Sequence, residues 1–135
     1  MAVGSEPGAG TDRWDRQDWW GVVVDAPDPA ALAHFYAALR GWRIHYVDAN
    51  EASLDPGEGV AYLNFQRSPE HVPPVWPPQP GRQQMMLHLD LEVTDLEGET
   101  ERAIALGASL ADHQPQSTVR VLLDPAGHPF CLYTS

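Results

Sequence analysis

Apolar residues along this chain fall into short runs, and the period within each run alternates between that of a strand and that of a helix. WWGVVVDA (residues 19–26) is a β-branched run of strand length. In the next segment, PDPAALAHFYAALRGW, residues Leu32, Phe35, Tyr36 and Leu39 recur at the spacing of one helical face. Asp28 suits the N-cap, Pro29 the first helical position and Gly41 the residue just past the end. WRIHYVD (42–48) predicts a strand, ANEASLDPGEG (49–59) a hairpin region holding a short strand, and VAYLNFQR (60–67) a further strand.

Residues 68–84, SPEHVPPVWPPQPGRQQ, carry six prolines. Proline offers no ladder donor and turns the residue before it away from helix, which predicts an extended linker. The earlier order of elements then returns. MMLHLDLEV (85–93) predicts a strand, and TDLEGETERAIALGA (94–108) a helix with Thr94 and Glu97 at capping-box spacing and a stop at Gly107. SLADHQ (109–114) predicts a short strand, TVRVLLD (118–124) a strand, PAGH a turn, and PFCLYTS (129–135) the last strand.

This is an internal duplication. Asp28 corresponds to Asp95 and Gly41 to Gly107, an offset of 67 and 66 residues. The fold class expected is α+β: two tandem β-α-β-β-β modules forming a curved mixed sheet around a cavity, lined by the sheet faces opposite the helices. The organisation expected is a flexible tail over 1–17, a first module over 18–67, the proline-rich linker over 68–84 and a second module over 85–135, together one domain. Trp14, Trp19 and Trp20 in and beside the tail are large aromatics that would dock it on the domain or on a second subunit.

Composition narrows the function classes. The chain has 135 residues and a formal charge of −11, with eight arginines and no lysine. Nucleic-acid binding needs clustered cations to displace counterions, and no such cluster occurs. No apolar run reaches the ~20 residues of a membrane span, and the N-terminal residues lack a basic-then-apolar pattern, so a cytoplasmic location is expected. Cys131 is the single cysteine, which excludes an intrachain disulfide and a CxxC metal knuckle. There is no GxGxxG, GxxxxGK[ST] or GxSxG, so nucleotide binding and serine hydrolysis have no support.

Candidate chemistry gathers in MMLHLDLEV. On a strand, His88, Asp90 and Glu92 share one face while Leu89, Leu91 and Val93 share the other. The polar row either lines a ligand cavity or is satisfied by hydrogen bonds to Asn64, Gln66 or Arg120, since unpaired buried carboxylates are costly. His45 sits on a strand where it could reach the cavity mouth, and Trp76 in the linker could close over a ligand or anchor the linker. Cys131, between Phe130 and Leu132, reads either as a nucleophile or as buried filler. His128 in its turn is expected to bond backbone, His34 to be structural, and His71 and His113 to be solvated.

The paired modules, with DPAALAHFYAALRGW in the first half and HLDLEVTDLEGETERAIALGA and LLDPAGHPFCLY in the second, resemble the vicinal oxygen chelate superfamily of glyoxalase I, bleomycin resistance proteins and extradiol dioxygenases. FQR, WP, HLDLEV and DPAGHPFCL resemble in particular its small glyoxalase-like domains, over about residues 19–134. The superfamily's metal enzymes take ligands from the first and last strand of each module. Seven residues before Asp95 that position holds His88, but seven before Asp28 it holds Gly21. The last-strand glutamate of the second module aligns with Cys131, and its first-module counterpart falls at or near Gln66. That set lacks the His and carboxylate ligands of the family's usual site. No cofactor is therefore expected; a divalent metal would have to be held by His88 together with Asp90 or Cys131.

The resemblance implies a small-molecule-binding protein without the usual metal site, acting for example in drug sequestration. It would take an organic ligand through Asn64, Gln66, His88, Asp90, Glu92, His45 and Trp76, and work as a homodimer with neither nucleic acid nor membrane as partner. The competing expectation is a lyase, isomerase or dioxygenase with a non-standard site around His88, Asp90 and Cys131.

Overall fold

The computed structural model describes residues 15–135. In chain order the elements are β1 (Trp20–Ala26), α1 (Pro29–Arg40), β2 (Arg43–Val47), β3 (Glu51–Asp55), β4 (Ala61–Arg67), β5 (Leu89–Glu92), α2 (Leu96–Ala105), β6 (Ser109–Leu110), β7 (Val119–Leu123) and β8 (Pro129–Tyr133). They build two four-stranded mixed sheets, ordered β1-β4-β3-β2 and β5-β8-β7-β6, each with its own helix. The first and last strands of each module pair in parallel and the remaining pairs are antiparallel. The architecture is α+β, and the duplicated β-α-β-β-β order expected from the sequence is present. The sheets are separate ladders and do not close into a barrel.

The two helices start alike. Asp28 accepts a hydrogen bond from Ala31 N at 3.2 Å, and Asp95 accepts one from Gly98 N at 3.0 Å. The cap of α2 is thus Asp95 and not Thr94, because the Asp95 carboxylate is the oxygen that reaches the free N–H one turn on. Gly41 ends α1 in the left-handed region at φ 70°. The strand expected over 85–93 is also shorter than its sequence pattern, beginning only at Leu89. Leu89 pairs with Phe130, and the residue before Phe130 is Pro129, which has no N–H to extend the ladder toward His88.

One core serves both modules. Leu32, Phe35, Tyr36 and Leu39, the predicted apolar face of α1, are buried with Leu54, Leu63 and Phe65 of the first module and Leu122, Phe130 and Leu132 of the second. Phe35 and Tyr36 meet the Phe130 ring edge-on at 5.8 and 5.7 Å, and Tyr36 stacks on Phe65 at 6.0 Å. Arg102 of α2 donates to the carbonyls of Ala38 and Leu39 in the last turn of α1, where unpaired carbonyls need donors. Arg40 donates to Glu92 O at 3.0 Å.

The modules are also joined by a polar network. Asp124, 4% exposed, accepts from the Tyr36 hydroxyl at 2.8 Å and from the backbone N–H groups of Ala126 and His128. His128 presents Nδ1 to the Asp124 carboxylate at 3.0 Å and Nε2 to Asp25 O at 2.8 Å. Both ring nitrogens face acceptors, which the imidazolium alone satisfies as a double donor. His128 therefore bonds a buried carboxylate as well as backbone. His71, expected to be solvated, instead lies half-buried with its ring 4.7 Å from that of His128 and Nε2 against Ala126 O. Trp76 anchors the linker, donating Nε1 to His113 O at 3.2 Å.

Residues 1–14 of the expected tail, with Trp14, lie outside the described residues. Trp19 docks on its own module, its Nε1 on Arg16 O at 2.9 Å and its ring 6.5 Å from Tyr62. Among the described residues no helix is long and apolar enough to cross a membrane.

Burial opposes the charge on His128, but the hydrogen bond and charge of Asp124, with Asp25, outweigh it and raise the pKa above 6.5. A folded-state pKa above the unfolded one means that this stabilisation is complete below about pH 6.5 and fades as pH rises through the higher value. The urea midpoint is expected to fall across that window, and His128→Asn to flatten that part of the profile. Equal slopes for both proteins would show that His128 is not charged in the fold.

Candidate functional site

Strand register assigns each polar candidate to a sheet face. In the first module Gly21, Val23 and Asp25 of β1 pair with Tyr62, Asn64 and Gln66 of β4, and Ser53 of β3 pairs with Asn64. These positions alternate with Leu63 and Phe65, which point into the core, so they share the face away from α1. On that face lies a cavity of about 240 Å³ lined by Trp19, His45, Ser53, Leu54, Asp55, Tyr62 and Asn64. It is just below the ~300–1,000 Å³ usual for small-molecule sites.

Two features shape this cavity. The Tyr62 ring lies directly over Gly21, so that a Cβ at residue 21 would come within 2.3 Å of it. Only glycine permits that approach, and the ring becomes a wall beside Trp19. Asn64 Oδ1 is buried at the lining and has no hydrogen-bond partner among the described residues. An acceptor left in that state costs about 1–3 kcal/mol. Asp55 pairs with Arg43 at 3.5 Å.

The second module carries different chemistry on the corresponding face. Asp90 of β5 pairs directly with Cys131 of β8, and His88 stands two residues before Asp90 on the same side. His88 Nε2 lies 3.1 Å from Asp90 Oδ1, with the two side chains 36% and 58% exposed. One donor atom from each of His88, Asp90 and Cys131 falls within 4.8 Å of the others. Burial, then the charge and hydrogen bond of Asp90, push the Cys131 thiol up to about 11. That is the reverse of what a cysteine nucleophile needs.

The structure thus divides the residues that the sequence grouped. Asn64 and His45 line the first-module cavity, whereas His88, Asp90 and Cys131 form a cluster in the second module. Gln66 is exposed and donates to Asp25 Oδ1 at 2.9 Å, and Glu92 accepts from Ser135 Oγ at 3.0 Å, apart from the cluster. Arg120 pairs with Leu132 on the opposite face and donates to Ser117 O and Val119 O, so it is no partner of the polar row. Trp76 does not line the cavity, and His34 is exposed on α1. Ser53, Asp55 and Tyr62 were not singled out from the sequence, and Trp19 was read as a docking aromatic and not as part of a site. The signal for Tyr62 was the period-two alternation of YLNFQ opposite a strand glycine.

The model of the glyoxalase-like domain matches residues 21–133. The chain belongs to the glyoxalase-like domain family. Solved structures share the fold at low identity. A glyoxalase/bleomycin resistance protein/dioxygenase family enzyme from Burkholderia phytofirmans PsJN is 18% identical, with 84% of this chain and 95% of that one covered at a TM-score of 0.64. The bleomycin-binding protein of bleomycin-producing Streptomyces verticillus, complexed with copper(II)-bleomycin, is 17% identical over 89% and 98% at 0.57. The fosfomycin resistance protein FosX of Mesorhizobium loti is 14% identical over 90% and 92% at 0.60. A comparison with curated proteins finds no match.

The glyoxalase-like face does not fit the metal site that the superfamily resemblance implies. With the offset of 67 residues, Val23 and Asn64 correspond to Asp90 and Cys131, which are likewise direct partners. The first-module counterpart of Cys131 is therefore Asn64, two residues before Gln66. The four positions hold Gly21, Asn64, His88 and Cys131, and the Tyr62 ring fills the space at Gly21. The first module contributes no anionic or imidazole ligand there.

Cys131 is expected to react slowly with iodoacetamide at pH 8, roughly two orders of magnitude below a free thiol of pKa ~8.5. Asp90→Asn removes a neighbouring negative charge and should speed labelling, followed by mass spectrometry. Labelling of the unchanged protein at the free-thiol rate would contradict this environment.

Proposed function

We propose that this glyoxalase-like protein binds a small organic molecule, in the manner of a bleomycin resistance protein, without assembling the superfamily's usual metal site. The observation that carries the reading is the cavity walled by Trp19 and Tyr62 with Asn64 at its lining. An aromatic or flat ligand part packs against the Trp19 and Tyr62 rings, which meet each other at 6.5 Å, and the Asn64 amide is the polar group offered to it at the lining. The chain's charge of −11 favours a cationic ligand. Drug sequestration suits this chemistry, and the copper(II)-bleomycin complex of a structural neighbour supports it by analogy of fold. A thermal-shift series with bleomycin and flat aromatic cations is expected to raise Tm. Tyr62→Leu and Asn64→Leu should each weaken the best binder about tenfold or more, equivalent to ~1.4 kcal/mol. A series in which no compound stabilises the protein, or affinities that both variants leave unchanged, would sink the reading.

The protein is proposed to work as a homodimer. β1 and β5 are edge strands of their sheets, and a groove of about 390 Å³ beside them is lined by Val23, Val72, Met86 and Leu87. These four side chains are 50–87% exposed. Exposed apolar side chains beside edge strands, set among Asp25, Glu70, Gln83 and Gln84 in the same groove, favour a second copy of the chain. Light scattering after gel filtration should give a dimer mass, and the double variant Met86→Asp, Leu87→Asp a monomer. A monomeric unchanged protein at micromolar concentration would refute it.

A further inference from the structure

The second module holds a set of donors that neither the cavity nor the proposed binding role uses. His88 and Asp90 project from one side of β5 and its approach, and Cys131 projects beside Asp90 from β8. The backbone ladder sets Asp90 beside Cys131, and His88, just before the strand, holds Nε2 3.1 Å from Asp90 Oδ1. From the geometry of His88, Asp90 and Cys131 we infer that the second module is by itself a three-donor site for a thiophilic divalent cation of the zinc type.

The arrangement keeps two of the superfamily's ligand positions, His88 and Cys131, and differs in its set of donors. It draws on one module only, adds Asp90, and puts sulfur where the resemblance expects a carboxylate. In a tetrahedral zinc site, bonds of about 2.0–2.3 Å set the ligand atoms about 3.3–3.7 Å apart. His88 Nε2 and Asp90 Oδ1 are already 3.1 Å apart, and all three donors lie within 4.8 Å. His88 and Asp90 are exposed enough to adjust by the remaining distance. Imidazole, carboxylate and thiolate together suit a borderline-soft ion, whereas magnesium and calcium require about six oxygens and find one carboxylate here. On binding, the sulfur–metal bond replaces the S–H bond and the thiol proton leaves to solvent. Exposure of His88 and Asp90 leaves the fourth position open to water or to a ligand of the ion.

The test uses the full chain, purified without a tag. Co²⁺ titration should produce a thiolate-to-cobalt charge-transfer band that saturates at one ion per chain and is bleached by Zn²⁺ but not by Mg²⁺. The band should vanish in Cys131→Ser, weaken at least about tenfold in affinity in His88→Ala and Asp90→Asn, and persist in His34→Ala. Because Cys131 is partly buried, a measurement on the unchanged protein is paired with these variants: Zn²⁺ should protect Cys131 from alkylation, and a chelator should restore its reactivity. Absence of the band, its survival in Cys131→Ser, or alkylation indifferent to Zn²⁺ would overturn the inference and leave His88, Asp90 and Cys131 as a hydrogen-bonded cluster only.

Discussion

A carboxylate that is 4% exposed needs partners if it is to stay charged, and Asp124 collects them from both modules. Tyr36 reaches it from α1, and two backbone N–H groups come from its own turn. His128 links it onward to the Asp25 carbonyl on β1. Burial, reinforced by Asp124, holds the Tyr36 phenol protonated, so it remains a donor. These bonds sit beside the Phe35–Tyr36–Phe130 ring contacts. Apolar packing and the polar network thus hold the same junction, and the helix-side faces of both modules share one core. The faces that carry the functional candidates point away from that core.

On those faces the duplicated positions have diverged into different chemistries. Gly21, Val23 and Asn64 in the first module stand where the second has His88, Asp90 and Cys131. Where the second module has the His88 imidazole, the first has Gly21 with the Tyr62 ring laid over it. Opposite Asp90's counterpart Val23, Asn64 keeps a buried Oδ1 without a partner among the described residues. In the second module the same register sets a carboxylate against a thiol, with an imidazole beside them, and gathers three donors; burial first, then Asp90, raises the thiol pKa. A common backbone therefore presents a cavity on one half and a donor cluster on the other.

Most of the fold was legible along the chain. The period-four face of α1, the aspartate caps, Gly41 and the proline linker are local signals, each read from a few neighbouring residues. The errors are also local in origin. Thr94 stood at capping-box spacing, but the Asp95 oxygen made the bond. The apolar run of residues 85–87 leading into the alternation of 88–93 matches a strand, but a strand needs a partner, and Pro129 has no N–H to offer opposite His88. Of the site, alternation placed His88 and Asp90 on one face, while their separation from Asn64 was not readable.

The sequence alone determined the two modules, their element order, the sidedness of each strand and the membership of the polar row. These follow from chain-local periods and caps, which depend on chirality and backbone sterics. Tertiary structure decided which rows meet. It set Cys131 beside Asp90, laid Tyr62 over Gly21, stranded Asn64 Oδ1, and bound Asp124 to a tyrosine 88 residues away. Such pairings depend on the register between strands and on how two sheets share one core, and the energy that selects them is summed over the whole fold.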